Sequence, residues 1–479
     1  MKSSILGSSY VARSVNAADS RCVNLFPEVV PEGGLEPAFL QRAPGLRLLA
    51  TVGPGPIRGL WKLGSYGYAV SGTEFYRIDS NWASTLIGTV TGSGPVSMAD
   101  NGTQIFIACN PDGFIYNTVT LLFQQITDID FPGAVSVGYL DGYFVFNEPN
   151  SQRVWVTALL EGTLIDALDF ASAEGSPDGL VSLVIDHREA WLFGTESVEV
   201  WYDAGTPDFP LSRIQGAYNE IGCIAPYSVA KLDNGVLWLG ADARGRGIVY
   251  RAKGYIGERI STHAVEWQIQ QYDDLSDAVA YTYQQDGHAF YVLNFPSANT
   301  TWVYDVATNV WHERASFSEG TLVRHRSNCQ MSYNDEIVLG DYQDGKLYAF
   351  DLDVYSDNGG IQKWLRSWRA LPTGQNTLKR TAQHGLQISC QMGVGLDGAS
   401  SVQGSDPQIM LRWSDDGGHT WSNEHWTSMG RMGQYGLRAN WHRLGMTQKL
   451  RDRVYEISGT DPVKIYIMGA ELEISGTDA

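Results

Sequence analysis

Through the first 360 residues, short apolar runs alternate with clusters of Gly, Asn, Asp and Ser. Runs rich in Val, Ile, Tyr, Phe and Trp, bounded by such clusters, read as strands joined by tight turns. They come in doublets: an apolar run, a polar turn, and a second run that ends on an aromatic residue. The doublets cover 66–79, 103–117, 142–158, 189–203, 235–251, 289–305 and 336–351, and their second runs carry Tyr76, Tyr116, Trp155, Trp201, Tyr250, Tyr304 and Tyr348. Successive anchors lie 40, 39, 46, 49, 54 and 44 residues apart. A period of about 45 residues falls in the range of propeller blades. The pattern therefore predicts a β-propeller over 61–360 with about seven blades, or six if one hairpin is a connecting element. A β-sandwich also has short strands at regular spacing, but it does not need a repeated doublet.

The flanks differ. Residues 1–60 hold Pro27, Pro31, Pro37, Pro44, Pro54 and Pro56 and read as an extended N-terminal arm, in which 46–53 (LRLLATVG) is placed to supply the outer strand that closes the ring. After Asp351 the doublets stop. In 361–371 (IQKWLRSWRAL), Ile361, Trp364, Leu365 and Trp368 recur at helical spacing, with Pro372 and Gly374 beyond them. This predicts a short helical linker over 361–374. Strand-like runs at 385–395, 408–414, 436–445, 453–458 and 463–474 then predict a C-terminal antiparallel β-sandwich over 375–479.

Charge divides the chain at the same place. The net charge is −19, but residues 1–360 hold 21 Lys and Arg against 42 Asp and Glu, whereas 361–479 hold 13 against 11. An acidic body grips DNA poorly, because affinity comes from neutralising phosphates with cations, yet it suits the wall of a passage that must not stick. With 15 Trp, 52 Gly and only 18% charged residues, the composition is that of many short strands. There is no apolar stretch long enough for a membrane span and no apolar core of a secretory signal at the start. Cys22, Cys109, Cys223, Cys329 and Cys390 show no paired spacing and are expected as buried free thiols.

Motifs of chemistry are sparse. No phosphate loop, zinc-protease helix, nucleophile elbow or dinucleotide fingerprint occurs. The segment 351–360 begins like a calcium loop with Asp351 and Asp353, but Tyr355 and Ser356 occupy its fifth and sixth positions, so a polar turn is expected. Asn101 and Asn299 open glycosylation-type triplets, which have meaning only on a secreted chain. Trp155, Trp191, Trp201 and Trp238 sit in repeat register and are expected in the core. One motif is well formed: Ser414, Asp416, Gly418, Thr420 and Trp421 match an Asp-box, a hairpin clamp that recurs in sialidase propellers as a structural element. Here it occurs once, outside the repeats, and residues 1–360 show no ordered Arg set of the kind a sialidase needs to grip a carboxylate. The expectation is that there are no catalytic, cofactor-binding or metal-binding residues. The alternative is a glycan-binding or sialidase-like glycan-hydrolysing propeller acting on a host surface.

Several longer segments share a family character: RCVNLFPE (21–28), RAPGL (42–46), FPGAVSVGYLDGYFVF (131–146), DFASAEGSPD (169–178), WLFGTESVEVWYDAG (191–205), GRGIVYRAKGY (245–255), RISTHAVE (259–266) and TWVYDVATNVWHER (301–314). Over roughly 20–320 the chain resembles the tail-hub, or packaged-DNA stabilisation, family of short-tailed bacteriophages. That resemblance implies a non-enzymatic virion tail protein, assembled in the host cytoplasm. It implies a hexameric ring below the portal and its head-to-tail adaptor. The ring would extend the DNA channel, help retain packaged DNA that passes without sequence-specific binding, and dock the tail needle, tailspikes or fibres. It implies no cofactor and no catalytic residues.

Overall fold

The computed structural model of the chain describes all residues except 15–18, 31–35, 174, 176–177, 207–208, 372–379, 399–401, 448–452 and 477–479. Among the described residues, helix is confined to His263–Ile269 and a 3-10 turn at Pro226–Ser228. Everything else of regular structure is strand.

Seven antiparallel sheets follow one another along the chain. Blade 1 is built from Ile57–Leu63, Tyr66–Ser71, Glu74–Ile78 and Ser84–Thr89, and blade 2 from Ser97–Asp100, Gln104–Cys109, Asp112–Asn117 and Phe123–Gln125. Blade 3 uses Val137–Leu140, Tyr143–Asn147, Arg153–Val156 and Phe170–Ser172; blade 4 uses Leu180–Asp186, Glu189–Gly194, Val198–Asp203 and Leu211–Asn219. Blade 5 holds Ala230–Leu232, Gly235–Asp242, Gly245–Lys253 and Ile256–Arg259, and blade 6 holds Val279–Gln285, His288–Phe295, Thr300–Asp305 and Val310–Ser318. Blade 7 takes Ser327–Tyr333, Glu336–Asp341 and Lys346–Asp351 from its own stretch. Its fourth strand, Gly45–Thr51, comes from the N-terminal region and pairs antiparallel with Lys346–Asp351, Leu46 opposite Phe350. This strand joins the two ends of the propeller stretch within one sheet.

The seven aromatic anchors all fall on the third strand of a blade. Six are buried and Tyr76 is half-buried. Four of them find partners for their polar tips, as buried Trp and Tyr usually do: Trp155 Nε1 donates to Glu148 (3.0 Å), Trp201 Nε1 to Glu199 (2.9 Å), Tyr304 to Asn309 (2.8 Å) and Tyr348 to Asp341 (2.8 Å).

Each blade buries its faces on its neighbours. Tyr68 and Phe75 of blade 1 pack with Ile107 and Tyr116 of blade 2, Phe106 with Phe144 of blade 3, and Val154 with Leu192 of blade 4. Phe193 packs with Trp238 of blade 5, Leu239 with Tyr291 of blade 6, and Val292 with Leu339 of blade 7. Met331 and Val338 of blade 7 return to Ile57 and Ala69 of blade 1. The circle is closed by packing as well as by pairing.

The C-terminal unit is a β-sandwich whose two sheets share one core, in which Leu386, Ile467 and Leu472 meet Leu411, Tyr455 and Ile457. The expected helix at 361–374 is absent where the chain is described: Trp364–Arg369 is a strand, paired with Cys22–Val23 on one edge and Val454–Gly459 on the other. Its apolar spacing misleads because Trp364 and Trp368, one turn apart on a helix, also share one face of a strand. Pro372 and Gly374 lie outside the described residues, as does Pro31.

The N-terminal region is not a free arm. Lys2–Ser3, Leu25–Val29 and Ala38–Arg42 are strands of the sheet that contains Thr381–Cys390 and Tyr466–Gly476. Cys22–Val23 bridges the outer strand of blade 6 to Trp364–Arg369, which makes one ten-stranded sheet running from blade 6 into the sandwich. Extended, Pro-punctuated sequence satisfies its backbone by joining sheet edges, and here those edges belong to the same chain.

Candidate functional site

Polar side chains gather, among other places, at the axis of the toroid and at the junction between toroid and sandwich. The axis holds a cavity of about 490 Å³ lined by the first strands of the blades. Its wall mixes polar and apolar surface, the apolar part coming from residues such as Leu60, Val96, Met98, Val137, Leu183 and Cys329. The charged residues of the lining are Arg58, Asp100 and Lys231, and all three serve the fold. Arg58 is buried and donates to the carbonyls of Gly94 (2.5 Å), Thr91 (2.9 Å) and Gly72 (3.0 Å). Burial lowers its pKa. Lys231 Nζ donates to the Ile185 carbonyl at 3.0 Å, and Asp100 accepts from Trp61 Nε1 at 2.9 Å. A glycosidase-type site needs a pair of carboxyl groups and cations aimed at a vacant position. The described lining offers one carboxylate, already engaged.

At the junction, Arg21 forms a two-pronged pair with Glu313 of blade 6 (3.2 and 2.6 Å), which also accepts from Ser9 at 3.0 Å. Asn24 has φ of 53°, a backbone state that Asn tolerates better than most residues. Its side chain donates to Ala315 O (2.7 Å) and Lys363 O (2.8 Å) and accepts from Ala315 N (3.0 Å). One residue thus ties the N-terminal region to blade 6 and to the strand that enters the sandwich. Leu25 and Phe26 point to opposite sides of their strand, as the pleat dictates. Leu25 sits in the sandwich core and Phe26 in the core between blades 6 and 7. Phe26 meets Phe290 edge-on at 5.3 Å, and the Arg314 guanidinium lies 5.5 Å from the Phe290 ring. His288 holds Asp305 (2.8 Å) on one nitrogen and Glu28 (2.5 Å) on the other. Burial disfavours its charge, but the two carboxylates outweigh burial and lift its pKa to about 9. Arg366 is fully buried in the sandwich and donates to the carbonyls of Ile5 (2.6 Å), Ser8 (3.3 Å) and Arg21 (3.3 Å).

The residues singled out in the sequence serve turns and cores. In the Asp-box, Asp416 accepts from Ser414 Oγ (2.6 Å), Thr420 N (2.8 Å) and Thr420 Oγ1 (2.6 Å), and these bonds hold its carboxyl well below the usual range. Gly418 has φ of 108°, and Trp421 lies under the Arg412 guanidinium at 4.7 Å. Asp351 accepts from Arg47 (3.0 Å) and from Asp353 N (2.9 Å). Among the described residues, no group of three or more His, Cys, Asp and Glu is arranged to hold a metal ion. Asn101 caps its own turn, accepting from Gln104 N at 2.7 Å, and Asn299 accepts from Arg324 N at 3.0 Å. Trp155, Trp191, Trp201 and Trp238 are buried between blades. Four of the five thiols are buried and the fifth half-buried, and burial pushes Cys109 up to about 11 and Cys329 up to about 12, so neither is a nucleophile at neutral pH. The junction residues Arg21, Asn24, Phe26, Glu28 and Arg366 were not legible as a site. The segment 21–28 entered the sequence reading only through its family resemblance.

A closed seven-bladed toroid, welded by a shared sheet to a β-sandwich, defines a propeller–sandwich protein whose polar networks serve assembly of the fold. The chain belongs to the bacteriophage P22 Gp10 family, the tail-hub and DNA-stabilisation family of podoviruses. The beta-propeller model of that family matches residues 4–355 and its beta-sandwich model residues 363–475. It is therefore a bacteriophage structural tail protein and a virion component. No curated protein matches the chain. Among solved structures it is similar to the computationally designed Ika8 protein, at 13% identity over 64% of this chain and 99% of that one, with a TM-score of 0.40. It is also similar to the Cps50 (Swd1) beta-propeller domain of Myceliophteria thermophila, at 9% identity over 63% and 98%, with a TM-score of 0.41. No helix among the described residues is long and apolar enough to cross a membrane.

Proposed function

We propose that copies of this chain form a ring, six in number, beneath the portal and its head-to-tail adaptor. The ring continues the DNA channel, helps hold packaged DNA in the head, and docks the tail needle, tailspikes or fibres. The protein acts without catalysis and is assembled into the tail in the host cytoplasm. The observation that carries this reading is the welded construction of the subunit. A closed toroid, joined to the sandwich through one continuous sheet, is a rigid block with surfaces on several sides. Such a block suits a cyclic assembly of repeated contacts. The axial cavity is far too small for a duplex, whose groove alone is about 12 Å wide. The DNA path in this reading therefore runs between copies, along acidic propeller walls that repel phosphate.

Particles produced without this protein supply the test. They are expected to package DNA and then lose it, leaving empty heads without needle or spikes. Filled heads that retain DNA in its absence, or tails in which the protein cannot be detected, overturn the proposal.

A further inference from the structure

Two exposed patches of opposite character lie at opposite ends of the subunit. The first is the connection after the third strand of blade 3, residues 157–169, with the neighbouring segment 126–131. Leu159, Leu160, Leu164 and Leu168 are 57–77% exposed and Ile129 is 96% exposed. This rim is built rather than loose. Gln104 donates to Glu161 at 2.9 Å and accepts from Gly162 N at 2.9 Å, while Ala158 N donates to Leu164 O at 2.9 Å. Ile165 turns inward to the core between blades 2 and 3. The two segments hold five Asp and Glu and no Lys or Arg.

The second patch is the far edge of the sandwich. The strand His425–Ser428 is the last in the ten-stranded sheet that starts in blade 6. It shows Trp426 at 61% exposure, and the loop after it shows Met432 at 59% and Tyr435 at 69%. Arg431 and Arg438 flank those residues, and 429–443 holds three Arg and no Asp or Glu. Aromatics, Met and Arg are the residue types that interfaces favour.

Blade 3 stands across a seven-bladed circle from blades 6 and 7, where the sandwich is attached. The two patches therefore cannot meet within one chain. They are complementary in charge, and both are apolar at the centre. A foreign partner would need only one such patch, whereas a head-to-tail contact between copies needs both, on different sides of the molecule.

We propose that the 426–438 edge of the sandwich docks on the 157–169 rim of blade 3 of the adjacent copy, and that this contact repeats around the ring. The inference rests on the ring reading above and assigns its surfaces. Arg431 and Arg438 face the acidic rim, and Met432, Tyr435 and Trp426 cover its leucines. Electrostatic attraction of this kind sets register and weakens with salt.

The test uses assembled particles carrying Leu168→Cys and Tyr435→Cys in the same chain. The native thiols are mostly buried, so they add little background. Mild oxidation is expected to give a ladder of covalent multimers of this protein, while either single variant stays monomeric on a non-reducing gel. In parallel, Arg431→Glu with Arg438→Glu is expected to reduce incorporation into particles about tenfold or more. Adding Asp166→Lys with Asp169→Lys is expected to restore it. An unchanged melting temperature of each purified variant separates lost docking from lost folding. A ring seen in the tails by electron microscopy without the ladder, or with cross-links only to another tail component, overturns this contact and leaves the ring standing. Tails without any ring of this protein overturn both. Failure of the charge swap to restore incorporation also counts against the contact.

Discussion

The propeller and the sandwich are both antiparallel sheet, but they are assembled from the chain in different ways. Each blade except the seventh is a run of consecutive strands, and its core is shared with the next blade along the sequence. The sandwich is the reverse. Its single core joins Ile5, Cys22, Leu25 and Leu40 to residues beyond 360. Local assembly makes the propeller a sum of similar interfaces, while the sandwich depends on a closure of more than 300 residues. Contacts between distant segments carry a larger loop-closure cost before they return any stability. The N-terminal region is therefore what holds the sandwich, and the junction is what makes the two units act as one body.

The strongest break in that contrast is removal of residues 1–29. It strips three core residues and three strand pairings from the sandwich but leaves Gly45–Thr51 to close the propeller. In calorimetry the sandwich transition is expected to vanish while a propeller transition survives; loss of both would mean that the propeller cannot stand alone. Next in size is Trp238→Ala. Trp238 is fully buried, stacked on Tyr250 at 5.6 Å and edge-on to Phe193 at 5.4 Å. The expected loss is about 3–5 kcal/mol, read as a lower propeller transition with the sandwich little changed. A smaller effect, about 2–3 kcal/mol, is expected for Asn24→Ala, which orphans a buried N–H and two carbonyls. Because Asn24 serves both units, chemical denaturation should show both transitions moving together. Movement of one alone would separate the units.

The pH dependence tests the same junction more finely. His288 is charged in the fold, and its pKa of about 9 lies above the ordinary histidine value. The raised pKa contributes stability that is complete below about pH 6.5 and is lost as pH rises through about 9. The contribution is on the order of 2 kcal/mol. His288→Gln should flatten the decline between pH 7 and pH 10 relative to the unaltered chain, measured by denaturant midpoints. Equal slopes would mean that the Glu28 and Asp305 contacts do not hold the histidine charged. The smallest effect belongs to Asp416→Ala, since the Asp-box clamps an exposed hairpin. A slight lowering of the sandwich transition is expected, with propeller behaviour and assembly unchanged.

The hairpin doublets were legible in the sequence because the second and third strands of a blade adjoin, so their turn and their aromatic anchor lie within one short window. Tyr116, Trp155, Trp201, Tyr250, Tyr304 and Tyr348 all ended in blade cores for that reason. The Asp-box was legible on the same ground, since Ser414 and Thr420 donate to Asp416 and Gly418 N donates to Ser414. The stretch 361–371 was misread as a helix because Trp364 and Trp368, one turn apart on a helix, also lie on one face of a strand, and nothing local distinguishes the two. Arg366 lies between them, and nothing in the sequence singled it out. It is the most buried cation of the sandwich because three carbonyls from residues 5 to 21 converge on it.

By itself the sequence determined the all-β class, the periodic doublets and the change of character near residue 360, since each follows from neighbours along the chain. Tertiary structure alone decided that the N-terminal region is part of the sandwich, that Gly45–Thr51 completes blade 7, and that blade 6 continues into the C-terminal unit. It also decided which charged patches face away from one another. These are pairings between segments hundreds of residues apart, and the free energy that selects them comes from burial and backbone bonds that exist only once both partners are in place.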